Sequence, residues 1–192
     1  MIYNFGIQKG LRVFVKAGGA GIGRAFSDAF DKTGAKIHVC DISEAALDAC
    51  KKDHPDWGYT LCNVADESQV AQLFKDAEKH LGGLDVLINN AGIAGPTGGV
   101  DKISPKDWDQ TISINLNGQF YSCHHAVPLL KKSDNASIIC IASIAGRLAY
   151  ANRTPYAATT WARRGLAESL AWELGPSGIR VNTMLPGIVE GP

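Results

Sequence analysis

Tyr156-Ala157-Ala158-Thr159-Thr160 follows Ser143 by thirteen residues, and Asn89-Asn90-Ala91-Gly92 precedes both. A tyrosine at the start of a helix, opposite a serine at the end of a strand, can pass a proton to or from an alcohol while a nicotinamide gives or takes the hydride. Nearer the N-terminus, Lys16-Ala17-Gly18-Gly19-Ala20-Gly21-Ile22-Gly23 lies between a strand-like and a helix-like segment. Glycines there let backbone N–H groups and a helix N-terminus close on a pyrophosphate. Asp41 ends the next strand-like run. A carboxylate at that point accepts hydrogen bonds from an adenosine ribose and repels a 2′-phosphate, which favours NAD over NADP. Capping of the helix that begins near Ser43 is the other role open to Asp41, and Arg24 weakens the NAD preference if it reaches the phosphate position.

These residues need a frame that brings strand ends together. Strand-like and helix-like segments alternate without internal repeats, which predicts an α/β fold: a Rossmann-type, doubly wound parallel sheet in three layers. The expected strands cover residues 12–15, 37–40, 59–62, 84–88, 137–142 and 179–184. Ile22, Ala25, Phe26, Ala29 and Phe30 recur at helical spacing, so a helix starts at the glycine-rich turn and stops at Gly34. Asp66 opens a helix with Val70, Leu73, Phe74 and Ala77 on one face, closed by Gly82-Gly83. Ser104-Pro105 opens a long, interrupted helical stretch towards Leu130 that contains Asn115. Thr154-Pro155 starts the helix carrying Tyr156, and Gly175-Pro176 ends it. Tyr156 and Thr160 then share one face, a turn apart.

The 192 residues, 45% hydrophobic and 20% charged, have the composition of one soluble globular domain spanning 1–192. Nineteen basic residues balance nineteen acidic ones, so neither nucleic acid nor an anionic membrane is expected as a partner. With no leader-like start and no apolar run of about eighteen residues, the reading is a cytoplasmic protein. Five cysteines without CxxC spacing read as buried free thiols. Cys123-His124-His125 does not make a metal site, because adjacent residues on a helix point in different directions. Trp161 and Trp172 read as core or subunit-interface packing.

In order along nearly the whole chain, the glycine-rich turn at 17–23, Asp41, Asn63-Val64, Asn89 to Gly92, Asn115, Ser143, Tyr156 and Pro186-Gly187 resemble the motifs of the classical short-chain dehydrogenase/reductase family. The resemblance implies a catalytic set of Asn115, Ser143 and Tyr156. Tyr156 is the acid/base, Ser143 polarises the substrate oxygen and Asn115 holds a water of the proton relay. It also implies that Gly18, Gly21, Ile22, Gly23, Asp41, Asn63, Val64, Asn89, Ala91, Gly92, Tyr156, Pro186 and Gly187 contact the cofactor, with Asn63-Val64 at the adenine. Arg147, Tyr150 and Arg153 fall where family members line the substrate pocket, with solvated surface as their other reading. Association as a homo-oligomer, dimer or tetramer, through the two long helices is likewise a family-level implication.

Three positions depart from the family pattern. The tyrosine motif is Tyr-x-x-x-Lys in the family, and Thr160 stands where the lysine belongs. A phenol titrates near pH 10, so a tyrosine acting at neutral pH needs something that favours its phenolate. A cation about 4 Å away at an effective dielectric of about 20 contributes roughly 4 kcal/mol, on the order of three pKa units. Threonine offers a hydroxyl and no charge, and the family's lysine also hydrogen-bonds the nicotinamide ribose. Lys16 and Ala17 replace a usual threonine and a frequent glycine. The lysine either attracts the pyrophosphate or is forced into a crowded strand end where desolvation is costly. Family members also run on past the position of Pro192 with a substrate-covering segment and a last parallel strand, so the chain reads as truncated, with its sixth strand an open edge.

Two functions are compatible with this pattern. The leading one is an NAD-dependent oxidoreductase interconverting a secondary alcohol and a ketone on a sugar, polyol, oxoacyl or similar small substrate, impaired by Thr160. The alternative is a non-catalytic dinucleotide-binding sensor or interaction protein.

Overall fold

The computed structural model describes residues 8–189. Within them the apolar runs become six strands, β1 (Arg12–Lys16), β2 (Lys36–Asp41), β3 (Gly58–Leu61), β4 (Val86–Asn89), β5 (Ser137–Ile141) and β6 (Arg180–Met184). The helical stripes between them become α1 (Gly21–Asp31), α2 (Glu44–Asp53), α3 (Glu67–Leu81), α4 (Pro105–Ile112), α5 (Gly118–Leu130) and α6 (Thr154–Leu174). All strand pairs are parallel, in the order β3-β2-β1-β4-β5-β6. This is the doubly wound α/β sheet that the alternation predicts.

Two cores sandwich the sheet. Phe14, Leu87 and Ile138 pack with Val70, Leu73 and Phe74 of α3 and with Ala126 and Leu130 of α5. On the other face Val13, Val15 and Ile88 pack with Leu47 of α2 and with Phe26 and Phe30 of α1. Strand alternation, two residues per repeat, sends successive β1 side chains to opposite cores. Trp161 and Trp172 are not in either core: they are 49% and 88% exposed.

Element boundaries moved where polar contacts compete with the apolar run. The fourth strand begins at Val86 rather than at residue 84, because Asp85 is bound to Arg12. The Arg12 amide, Nε and Nη2 donate to the Asp85 carboxylate at 2.8, 2.9 and 2.6 Å. The interruption of the long helix lies at residues 113–117, a wide turn with one extra residue between α4 and α5. Such turns re-aim side chains, and this one carries Asn115.

Lys16 ends β1 on the face covered by α5. It is fully buried, and its Nζ donates to the Gly118 carbonyl at 2.6 Å. Of its two possible fates, the structure shows the buried one: the ammonium sits beneath the glycine-rich turn. Burial pulls it down to about 8, opposed first by the Cys40 thiol and reinforced by repulsion from Arg163. The folded lysine thus loses its proton near pH 8 and the unfolded one near 10.5. Between those values the unfolded state binds more protons, so this site's contribution to stability rises with pH. Lys16→Met is therefore expected to stabilise the fold at pH 7 by on the order of 2 kcal/mol, the burial penalty less one lost hydrogen bond. The advantage should shrink between pH 8 and 10.5. Denaturant unfolding of both proteins at neutral and alkaline pH measures it, and a gap that does not change with pH contradicts the assignment.

Candidate active site

From β1 the chain steps outward to β2 and β3, then α3 carries it back to β4 on the other side of β1. The connections after β1 and β4 therefore leave in opposite directions, and a crevice opens between them at the strand ends.

The turn after β1 is packed too tightly for side chains at two positions. A Cβ at Gly18 would lie 2.7 Å from the Val39 side chain, and one at Gly23 would collide with the Ala17 carbonyl. Gly19 N donates to Asp41 Oδ2 at 3.2 Å. α1 then starts at Gly21, φ +53°, with no side-chain cap and no acid in its first turn. A Cβ at Gly21 would meet nothing within 4 Å. The helix N-terminus is thus bare, with N–H groups available to an anion. Asp41 Oδ1 also accepts from Ser43 N at 3.0 Å, which fixes the carboxylate and leaves lone pairs for hydroxyl donors. The side-chain cap of α2 is Ser43, whose Oγ accepts from Ala46 N at 3.2 Å. Arg24 is held within the helices, by Asp28 at 2.8 Å and Asp53 at 3.0 Å. These residues fit a dinucleotide.

Ala17 has φ +49°. A residue other than glycine in that region is strained by about 1 kcal/mol or more. Asn90 holds the strained turn from across the crevice, its Nδ2 donating to the Lys16 and Ala17 carbonyls at 3.2 Å each. Asn89 points the other way. Its Nδ2 donates to the Gln119 carbonyl at 3.1 Å and to Cys123 Sγ at 3.4 Å, and its Oδ1 is buried without a partner. Ala91 is also buried. Asn115 clamps the chain after β4: its Oδ1 accepts from Ile93 N at 2.8 Å, and its Nδ2 donates to Ile93 O at 2.9 Å and Thr159 Oγ1 at 3.1 Å.

A cleft of about 290 Å³ gathers Ala17 and Ile22 from the turn, Asn90 and Gly92 from the end of β4, and Tyr156 and Arg163 from α6. Ala142 lines it too, and Ser143 follows directly. Ser143 Oγ accepts from Ala145 N at 3.2 Å, so its O–H remains free to donate. Ile144 N donates to the Pro186 carbonyl at 2.9 Å, which sets Pro186-Gly187 beside the serine loop. A larger cavity, about 420 Å³ and lined by Arg147, Arg164 and Glu168, lies between α6 and β6; it contains Arg147 of the substrate-pocket candidates and none of the expected catalytic or cofactor residues. Asn63 and Val64 follow β3, two strands from the cleft. The Asn63 side chain caps its own turn, accepting from Ala65 N at 3.1 Å, and Val64 is buried with its carbonyl against Gly118.

Thr160 is fully buried, and its Oγ1 donates to the carbonyls of Tyr156 and Ala157 at 3.0 Å each. This back-bonding within the helix engages the one proton that threonine has to offer. Arg153 lies over the Tyr156 ring, Cζ to centroid 5.5 Å, with its Nη atoms on Thr97 Oγ1 and the Ala94 carbonyl. Arg163, which motif reading passed over, is 3% exposed. Its Nε donates to Gln119 Oε1 at 2.7 Å and its Nη2 to the Asn89 carbonyl at 3.2 Å. Its spacing was the available signal: residues 156, 160 and 163 stand at i, i+4 and i+7 on one helix face.

A family model for short chain dehydrogenases matches residues 12–192. L-fucose dehydrogenase of Bos taurus is 33% identical over 180 residues, covering 94% of this chain and 66% of that protein. Levodione reductase of Leifsonia aquatica is 31% identical over 186 residues, covering 94% and 70%. Among solved structures, carveol dehydrogenase from Mycobacterium avium in complex with NAD superposes with a TM-score of 0.89 at 28% identity, covering 93% of this chain and 70% of that one. The chain spans about two thirds of the length of these relatives. With the family match running through both the glycine-rich turn and the tyrosine helix, the chain belongs to the short-chain dehydrogenase family.

Proposed function

We propose that the chain is an NAD-dependent oxidoreductase interconverting a secondary alcohol and a ketone on a small substrate. The observation that carries this reading is the single cleft lined by both the nucleotide turn, through Ala17 and Ile22, and Tyr156. Relatives named for L-fucose and levodione support a sugar or small ketone as the substrate class.

In the reducing direction the Tyr156 O–H gives its proton to the carbonyl oxygen as the carbonyl carbon receives a hydride. C=O becomes CH–OH, the tyrosine is left as phenolate, and a proton from solvent restores it. A bound nicotinamide supplies the hydride in this direction and takes it in the other. Ser143 donates its free O–H to the same carbonyl oxygen and so orients it. Asn115 supports the relay by fixing Ile93 and Thr159 around the tyrosine helix. Asp41, held by Gly19 and Ser43, accepts from ribose hydroxyls and disfavours a 2′-phosphate.

Thr160 weakens this machinery, since it contributes neither charge nor a free donor to the cleft. Thr160→Lys is expected to raise turnover by about tenfold or more at neutral pH, because a nearby cation favours the phenolate. Steady-state rates across a panel of sugars, polyols and oxoacyl substrates measure this, and an unchanged rate on an accepted substrate removes Thr160 as the limiting departure. Fluorescence titration should show NADH binding more tightly than NADPH. Asp41→Asn keeps the oxygen that Ser43 and Gly19 use but removes the charge, and it should narrow that preference by about tenfold. An equal preference before and after the substitution overturns the role given to Asp41.

A further inference from the structure

Arg163 is a buried cation without a carboxylate. No ion pair reaches it among the described residues, and its protein partners are neutral: Gln119 Oε1 on Nε and the Asn89 carbonyl on Nη2. A guanidinium carries five N–H donors, so these bonds leave most of its hydrogen-bonding capacity unfilled. Nη1 has no protein acceptor among the described residues and faces Gly92, where a Cβ would lie 2.8 Å from it. Gly92 and Arg163 both line the cleft with Tyr156. The missing side chain at Gly92 is what leaves Nη1 room at the cleft wall. Burial pulls the guanidinium down to about 10, while the Cys140 thiol and the Tyr156 phenolate act in the opposite direction.

Of the other cations nearby, Lys16 is engaged behind the sheet end, its Nζ on the Gly118 carbonyl. Arg153, whose Cζ lies 5.5 Å from the centroid of the Tyr156 ring, is tied by both Nη atoms to the neighbouring loop at Thr97 and Ala94. Hydride and proton go to adjacent atoms of one C=O group. A nicotinamide serving Tyr156 must therefore lie in this cleft, and the ribose bonded to that nicotinamide lies in reach of its walls.

We propose that Arg163, one turn further along α6, supplies part of the positive charge that position 160 lacks, donating from Nη1 to the ribose hydroxyls of the cofactor's reactive half and favouring the Tyr156 phenolate from further away than a cation at position 160 would. The proposal rests on the dinucleotide reading above. In this chain the cation stands at i+7 rather than i+4 on the helix face, a guanidinium anchored at two of its nitrogens in place of a flexible ammonium.

The test compares NADH with ADP, which shares the adenosine and pyrophosphate but lacks the reactive half. In wild type and in Arg163→Gln, which is neutral but keeps hydrogen-bonding capacity toward Gln119 and Asn89, NADH affinity is read by nicotinamide fluorescence and ADP affinity by calorimetry. Loss of a charge-assisted hydrogen bond should weaken NADH by about tenfold or more while leaving ADP nearly unchanged. Adding Thr160→Lys to Arg163→Gln should recover most of the lost NADH affinity and turnover. Equal weakening of NADH and ADP assigns Arg163 a structural role only and overturns the proposal, as does undiminished NADH binding. If the glutamine variant fails to fold, Arg163→Lys keeps the charge, and NADH binding weakened as much as ADP binding in it overturns the proposal in the same way. If wild type binds neither ligand, the dinucleotide reading itself fails and the proposal with it.

Discussion

Beneath the cleft lies a buried polar knot that joins three elements. Arg163 of α6 donates to the Gln119 side chain of α5 and to the Asn89 carbonyl at the end of β4. Gln119 Nε2 returns a bond to the Arg163 carbonyl at 3.3 Å, and Asn89 Nδ2 holds the Gln119 carbonyl. Each partner is nearly or fully buried, so removing one leaves others unsatisfied in a low-dielectric setting. The placement of Asn90, Gly92 and Tyr156 follows from this knot. Asn90 and Gly92 continue the strand end that it holds, and Tyr156 lies two turns up the helix that it anchors. Bracing continues outward through Asn90 to the strained turn at Ala17 and through Asn115 to Ile93 and Thr159.

Two of the three departures from the family pattern lie around this knot. Lys16 puts an ammonium under the glycine-rich turn, and Thr160 puts a hydroxyl where the family has a lysine, one turn from the Arg163 guanidinium. The two cations repel each other and depress the lysine, yet both are retained on neutral oxygens. Two buried cations thus flank a position that carries a hydroxyl in place of a charge, Lys16 behind the sheet end and Arg163 at the cleft wall. Ala17 adds local strain at the same point in the chain, and the side chain of Asn90 offsets it from the neighbouring strand end.

Most of the fold was legible because period-two and helical patterns are dense in this chain. The α3 stripe of Val70, Leu73, Phe74 and Ala77 and the apolar strands became the cores as expected. The motif residues of the turn, the loop after β4 and the tyrosine helix gather at one crevice because the strand order reverses between β1 and β4. Orientation was not legible. Nothing in the string Asn89-Asn90 says that the first side chain enters the core while the second bridges the crevice; the strand pleat decides it. The fate of Lys16 was open until the fold put Gly118 above it. Arg163 escaped notice because an arginine outside a motif reads as surface, whereas its helical phase with Tyr156 puts it inside. Trp161 and Trp172, read as core or subunit-interface packing, lie on the exposed side of α6, which rules out the core and leaves the interface reading.

The central claim is that this cleft transfers a proton through Tyr156 in step with a hydride. Tyr156→Phe removes one hydroxyl and leaves the knot, the turn and the ring packing in place. With the alcohol that the chain oxidises fastest, the account predicts a fall in turnover of about a hundredfold or more with NADH affinity unchanged within a factor of about two. Turnover that survives the loss of the hydroxyl would contradict the account at its centre and place the acid/base chemistry, if any, on another group.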